Sequence, residues 1–404
     1  MKLDRRDFCK LSALAASASV LRPRYAFGAG AADRDVVVCV FQRGAMDPLN
    51  SVVPYADASY RSLRPTVALP EPGAAAGATL PLDNFFSINP AAAALKTLFD
   101  AGELAIVHAT GGLHGDLSHF SAQSLMERGV LAHQPVFDGW LNRHLQIIGP
   151  TVAFQGVGVG KAVAPSLRGP APVVGMSTID SVALTTRSAR AGSTPALLQR
   201  HYAGSDELDR AAQQAFTAID VLDQADPAQY PVENGAVYPN GGFGSQMREV
   251  AQLIKAGVGL EVACIDIGGW DHHNQLNPSL TPLLQEFADA LGAFRKDLGA
   301  RMANVTVVTM TEFGRRAYEN ASAGTDHGIG GVMFAFGGGV VGGRVYGDWP
   351  GLRSNELLDG NLSITTDYRS VLAELLAKRT GNPEARTVFP EFVDGGALGM
   401  FRAR

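Results

Sequence analysis

Cysteine is scarce in this chain, with three among 404 residues. That excludes a disulfide-built scaffold, and no pair has the spacing that holds zinc on thiolates. Cys39 and Cys264 each fall in an apolar run that reads as a strand. Buried free thiols are expected there, with one disulfide between neighbouring strands as the alternative. Charge is sparse too, at 18% of residues, and the formal net charge is −5. The first 32 residues hold six basic and two acidic side chains; the remaining 28 basic and 37 acidic residues leave a net of −9. A mildly acidic chain argues against general binding to nucleic acid or anionic membranes. The apolar stretch Leu11–Leu21 is too short and too rich in Ala and Ser for a good spanning helix. Familiar catalytic signatures are missing: there is no His-Glu-x-x-His helix, no Walker loop and no Gly-x-Ser-x-Gly elbow. The glycines of Gly337–Gly343 lack the context of a dinucleotide fingerprint.

What is present is a globular composition, 46% hydrophobic, long enough to bury a sizeable core. Residues 1–32 read as a twin-arginine export signal. Arg5-Arg6 is followed by Phe8 and Lys10, then the apolar stretch, then the small residues Ala26–Ala32. A basic N-terminal helix is the bland alternative. An exported, extracytoplasmic chain with no membrane insertion after signal removal is expected. From residue 33 to 404, strand-like and helix-like segments alternate, which predicts a single α/β domain with a mostly parallel central sheet. An insertion is expected over about residues 156–245, beginning with the Gly/Pro/Val-rich short strands and loops of Gly156–Ser188. Helices are predicted over 91–100, 118–128, 137–148, 206–225, 244–256, 281–298 and 367–378, with Pro282 in the first turn of its helix.

Acids and histidines fall mostly just after the strand-like runs 36–42, 104–107, 260–267 and 305–310. In an open α/β sheet, ligands bind beyond the carboxyl ends of the strands. Asp47, His108, Asp271, His273, Glu312 and His327 should therefore converge on one edge, where clustered carboxylates call for protonation or a cation. Each has a plainer reading. Asp47 can ligate a cation or cap the turn before Pro48. Ser118 stands at a helix start, where backbone N–H groups favour anions; it is a nucleophile or merely the helix cap, with Ser121 in reserve. His114 and His119 flank that start. Asp271 and His273, two apart in a Gly-Gly-Trp-Asp-His-His loop, could grip one ion or lie in a surface turn. His272 offers a further imidazole. Glu312 offers a carboxylate and Arg315 a planar fork for oxyanions, unless the two simply pair. His327 could bind metal while Asp326 orients its ring or binds directly.

These segments, taken in order, resemble the bacterial domain-of-unknown-function family 1501. The marks are RGAMDPLNSVVPY (Arg43–Tyr55), SHFSAQSLMERG (Ser118–Gly129), GGWDHHNQ (Gly268–Gln275), TEFGRR (Thr311–Arg316), GTDHGIGGVMFAFGGGV (Gly324–Val340) and VYGDWPGL (Val345–Leu352). That family is usually exported by the twin-arginine route and looks like a branch of the alkaline phosphatase and sulfatase superfamily. The resemblance implies an alkaline-phosphatase-like sheet with inserted lobes. It also implies metal ligands at Asp47, Asp271, His273, Glu312 and His327, with a nucleophile at Ser118. Two features depart from the superfamily. Glu312-Phe313 stands where Asp-His is common, and the Asp271 to His273 gap is shorter than the superfamily's usual one. The Cys-x-Pro-x-Arg segment in which sulfatases build their nucleophile is also missing. His119 or His272 could replace the missing imidazole. The resulting expectation is a periplasmic hydrolase of a phosphate or sulfate ester using one or two divalent ions, zinc first. Its substrate would be a small-molecule or glycan anionic ester. The alternative is a degenerate relative that binds an anionic sugar or cell-envelope ligand without turnover.

Overall fold

A computed structural model describes residues 35–149, 154–160, 163–182, 194–393 and 395–404. Residues 1–32, where an export signal is expected, lie outside the described residues. The central sheet is built from β1 (Val36–Arg43), β2 (Leu104–Gly111), β3 (Gly156–Val159), β4 (Val174–Met176), β5 (Val262–Gly268), β6 (Val305–Met310), β7 (Gly331–Gly337), β8 (Arg344–Tyr346) and β9 (Thr366–Asp367). Its order is β8-β2-β7-β6-β1-β5-β3-β4, with β9 also paired to β2. β7 alone runs antiparallel to its neighbours; the other pairings are parallel. The segment expected as an insertion thus supplies β3 and β4, which extend the sheet.

The strands are apolar on both faces, as parallel strands covered by helices must be. Along β1, Val38 and Val40 face one core with Phe287 and Leu291, while Val37, Cys39 and Phe41 face the other with Trp140 and Leu372. The first layer holds α1 (Ala93–Asp100), α5 (Gly242–Ala256) and α6 (Leu276–Leu298). The second holds α3 (Trp140–Ile148) and α7 (Tyr368–Leu375), with α2 (His119–Arg128) reaching it through Met126. α4 (Glu207–Ala225) belongs to the first layer through Ala218 and Leu222. α6 begins five residues earlier than its sequence suggests, so Pro282 lies inside the helix. Leu276, Leu280, Leu284, Phe287 and Leu291 make one buried stripe at helical spacing, and that burial outweighs the hydrogen bond Pro282 cannot donate. Cys39 and Cys264 sit side by side in register on β1 and β5, both buried as free thiols.

One topological detail places the site. β6 and β7 are antiparallel neighbours, so their connection needs no crossover helix. The whole segment 311–330 therefore stays at the carboxyl edge of the sheet, beside the loops that follow β1, β2 and β5.

His108 does not join that edge. β2 runs on to Gly111, and the ring is buried within it, stacked 5.3 Å from Phe86. Its Nε2–H donates to the Val52 carbonyl at 3.0 Å, and Nδ1 accepts from the Ala109 N–H at 2.9 Å. Burial drives its pKa down from 6.5 to about 4, against the backbone carbonyls and Asp47, which favour the charged ring. The unfolded chain takes up this proton near 6.5, whereas the folded chain does not until about 4. Stability is therefore lost as pH falls through that window, by up to about 3 kcal/mol for this residue. Urea unfolding between pH 7 and 4 measures the slope, which is expected to flatten in His108→Gln whatever that variant's absolute stability.

Candidate metal centre

The site starts from the last residues of β1. Arg43 reaches α2 through Glu127 (3.0 Å) and Gln123 (3.1 Å), and its Nε donates to Asp266 at 2.8 Å. This clamps the middle and last turns of α2 against the sheet edge. Next comes Gly44, at φ +116°. A Cβ there would lie 2.8 Å from the Asp271 nitrogen, so only glycine lets the loops after β1 and β5 touch. The Gly44 N–H donates to Glu312 Oε1 at 2.8 Å. The same oxygen accepts Gln123 Nε2 and His119 Nδ1, each at 2.8 Å. Glu312 is wholly buried, and these donors replace the water its carboxylate has lost.

Three imidazoles are held in one manner. His119 donates through Nδ1 to Glu312. His273 donates through Nδ1 to Asp326 Oδ1 at 2.9 Å, and Asn320 steadies that carboxylate at 3.0 Å. His327 donates through Nδ1 to the Leu117 carbonyl at 2.9 Å. A neutral ring bonded this way carries its lone pair on Nε2. All three Nε2 atoms meet at Asp271: His273 is 3.0 Å and His327 3.3 Å from Oδ1, and His119 is 3.3 Å from Oδ2. The Nε2 atoms of His273 and His327 are themselves 3.0 Å apart. Phe313 packs against two of them, stacked 5.0 Å from His119 and tilted at 46°, 4.8 Å from His327.

The donor set passes a test of fit. Facing lone pairs repel unless a proton or a cation lies between them. Tetrahedral coordination at 2.0–2.1 Å gives ligand–ligand edges of about 3.3 Å, close to the separations here. His119 Nε2 is buried yet makes no hydrogen bond. His119, Asp271 and His327 each place a donor atom within 4.8 Å of the others. Burial would raise the Asp271 pKa, but the Arg315 guanidinium, hydrogen-bonded to it at 2.6 Å, leads the groups that bring it down to about 2. The carboxylate is thus ionised and ready for a cation.

The expected residues divide. Asp271, His273 and His327 come together, and His119 joins them. Asp47 does not. It is buried against Arg64 at 2.7 Å, caps the short helix 48–51 through the Asn50 N–H at 2.8 Å, and accepts the Thr325 hydroxyl at 2.9 Å. Burial raises its pKa, but Arg64, the Asn50 N–H and the Thr325 hydroxyl together lower it below the usual value, so a guanidinium already supplies its counter-charge. Glu312 faces His119 rather than the shared centre. Arg315 cannot act as an oxyanion fork, because its donors serve the carbonyls of Ala45 (2.7 Å), Thr325 (3.0 Å), Trp270 (3.2 Å) and Gly44, and Asp271 Oδ1 at 2.6 Å. It positions Asp271. Asp326 orients His273, not His327. His272 turns inward; its ring is buried and Nδ1 has no hydrogen-bond partner. Ser118 occupies the N-cap position of α2 without making the side-chain cap bond and stays exposed. Gln123, Asn320 and the Leu117 carbonyl were not singled out from sequence. Gln123, four residues after His119 on one helix, is the one whose spacing could have disclosed it.

A buried parallel sheet carrying a His/Asp cluster at its carboxyl edge defines an α/β protein with a centre suited to one divalent cation. Residues 137–375 match the family described as a protein of unknown function (DUF1501), and the chain belongs to that family. No curated protein matches its sequence. Among solved structures it is similar to the zinc complex of the C-terminal periplasmic domain of EcEptC from Escherichia coli, at 8% identity and TM-score 0.35, covering 78% of this chain and 74% of that one. The lipoteichoic acid synthase LtaP from Listeria monocytogenes matches at 6% identity and TM-score 0.38, covering 85% and 77%. An alkaline phosphatase from the Antarctic bacterium TAB5 matches at 10% and 0.29, covering 75% and 92%.

Calorimetric zinc titration separates the two kinds of carboxylate. Glu312→Gln is expected to weaken binding by about 10- to 100-fold by loosening His119, and Asp271→Asn to weaken it further. Asp47→Asn should leave affinity unchanged while lowering stability by roughly 3 kcal/mol, since it strands buried Arg64. Loss of zinc binding in the folded Asp47→Asn variant would restore Asp47 to the ligand set.

Proposed function

We propose that this protein is a metal-dependent hydrolase of phosphate or sulfate esters, exported by the twin-arginine route and acting outside the cytoplasm. The observation that carries the reading is the convergence of three Nδ1-tethered imidazoles on the Asp271 carboxylate. A divalent ion, zinc first by its donor preference, would be held by His119, Asp271, His273 and His327 and would supply Lewis acidity. The chain's own groups do the remaining work. Arg315 fixes Asp271. The first-turn N–H groups of α2 offer donors to ester oxygens. Ser118, exposed next in sequence to the Leu117 whose carbonyl holds His327, would supply the attacking hydroxyl. Arg5-Arg6 and the apolar stretch after it support the export route. Among the described residues no helix is long and apolar enough to cross a membrane.

A second reading, a binding protein without turnover, is favoured by one observation. Arg64 and Arg315, the guanidinium groups nearest these carboxylates, are both fully engaged in the fold. Zinc-loaded protein assayed with p-nitrophenyl phosphate, bis(p-nitrophenyl) phosphate and p-nitrophenyl sulfate distinguishes the two. Hydrolysis abolished by chelation and by Asp271→Asn, and reduced at least about 100-fold in Ser118→Ala, is expected. Zinc binding without any turnover would leave the binding reading in its place.

A further inference from the structure

The segment Val345–Leu352 takes no part in the histidine cluster. Its Trp349 helps to wall a separate cavity of about 370 Å³, lined by Asp57, Ser59, Phe85, Arg353 and Glu356 among others. That volume falls within the range of roughly 300–1,000 Å³ typical of small-molecule sites. We propose that this cavity is a binding site for a neutral saccharide, with Trp349 as its platform.

Trp349 is held in a fixed orientation. Its Nε1–H donates to Asp57 Oδ2 at 3.0 Å. Phe86 meets it edge to face at 5.4 Å, His108 at 5.0 Å and Phe85 at 5.9 Å. A half-buried indole pinned on this many sides has little rotamer freedom left to lose when a ligand covers it. Its apolar surface suits the C–H face of a pyranose ring. The rim supplies both hydrogen-bond polarities, as a ring of hydroxyls requires. The acceptors are the Asp57 and Glu356 carboxylates, and the donors are Ser59 and Arg353. Glu356 is fixed by the Arg353 N–H at 2.8 Å and by the close backbone of Gly351, where a Cβ would fall 2.0 Å from Oε2. The Arg353 guanidinium lies 3.8 Å from Glu356 and is 77% exposed, so its donors remain open to a ligand. Two carboxylates against one guanidinium disfavour a phosphorylated or sulfated ligand, and the polar rim disfavours an apolar one.

Trp349 also provides its own reporter. Trp140 and Trp270, the other tryptophans, are wholly buried, so ligand-dependent changes in indole emission come from Trp349. The experiment is fluorescence titration of the metal-free and zinc-loaded protein with maltose, cellobiose and N,N′-diacetylchitobiose. A saturable change with at least one disaccharide is expected, at the same affinity in both forms because the cavity does not use the histidines. Filling the cavity mouth with Ala56→Tyr, at an exposed lining residue, should abolish it. Arg353→Ala should weaken it about threefold or more, the loss of one or two hydrogen bonds. No saturable change up to about 50 mM of any of the three, far above a millimolar Kd, overturns the proposal. An undiminished response in Ala56→Tyr overturns it equally, because the sugar then binds elsewhere.

Discussion

The candidate centre depends on one buried guanidinium. Arg315 has no exposed surface, yet it carries a full charge. Such a group is tolerated only when every donor finds an acceptor. Its acceptors are backbone carbonyls at Gly44 and Ala45 after β1, at Trp270 after β5 and at Thr325 before β7, together with the Asp271 carboxylate. One side chain thus ties three chain segments, far apart in sequence, to a common point. Removing it would take the guanidinium donor from the Gly44, Ala45 and Thr325 carbonyls, leave the Trp270 carbonyl with the His272 N–H alone, and strip Asp271 of its counter-charge. The loop glycines fit the same constraint, for Gly44 lets two of these segments approach to contact distance.

From that knot the histidines acquire direction. An imidazole is ambiguous until one nitrogen is assigned a partner. Here Glu312, Asp326 and the Leu117 carbonyl each take an Nδ1–H, and each sits on the far side of its ring from Asp271. Two different carboxylates and one peptide oxygen therefore do the same job. The chemistry at the centre follows from these outer contacts as much as from the ligating atoms. The clamp from Arg43 through Gln123 to Glu312 extends the same control to the position of α2.

Much of this was legible in the sequence, and the failures have physical causes. Strand-like runs followed by Gly, Asp and His gave the edge correctly because parallel topology forces such loops together. Asp271, His273 and His327 came together as their loops implied. His108 was misplaced because β2 continues past the apolar run 104–107; periodicity does not mark where a buried strand ends. Glu312 and His119 exchanged their expected ranks for a different reason. They lie 193 residues apart, and no local pattern says which of the two faces inward. Arg64 drew no attention at all, since an arginine near a helix end reads as surface, yet it is fully buried. For Asp47 the plainer reading, a helix cap, is the one its geometry supports.

Arg64 and Arg315 also revise the premise that led to the edge. Carboxylates gathered in one place need a counter-charge, and a metal ion is only one way to supply it. Asp47 receives it from Arg64 at 2.7 Å and Asp271 from Arg315 at 2.6 Å, both built into the chain. What these cations leave unsolved is the mutual approach of the imidazole lone pairs, because the Arg315 donors are already taken by backbone carbonyls and Asp271. A small divalent ion is suited to that point, since it accepts several lone pairs at once. The sequence therefore encodes fixed positive charge beside both the structural Asp47 and the site's Asp271, and leaves a nitrogen-lined point suited to an exchangeable divalent ion.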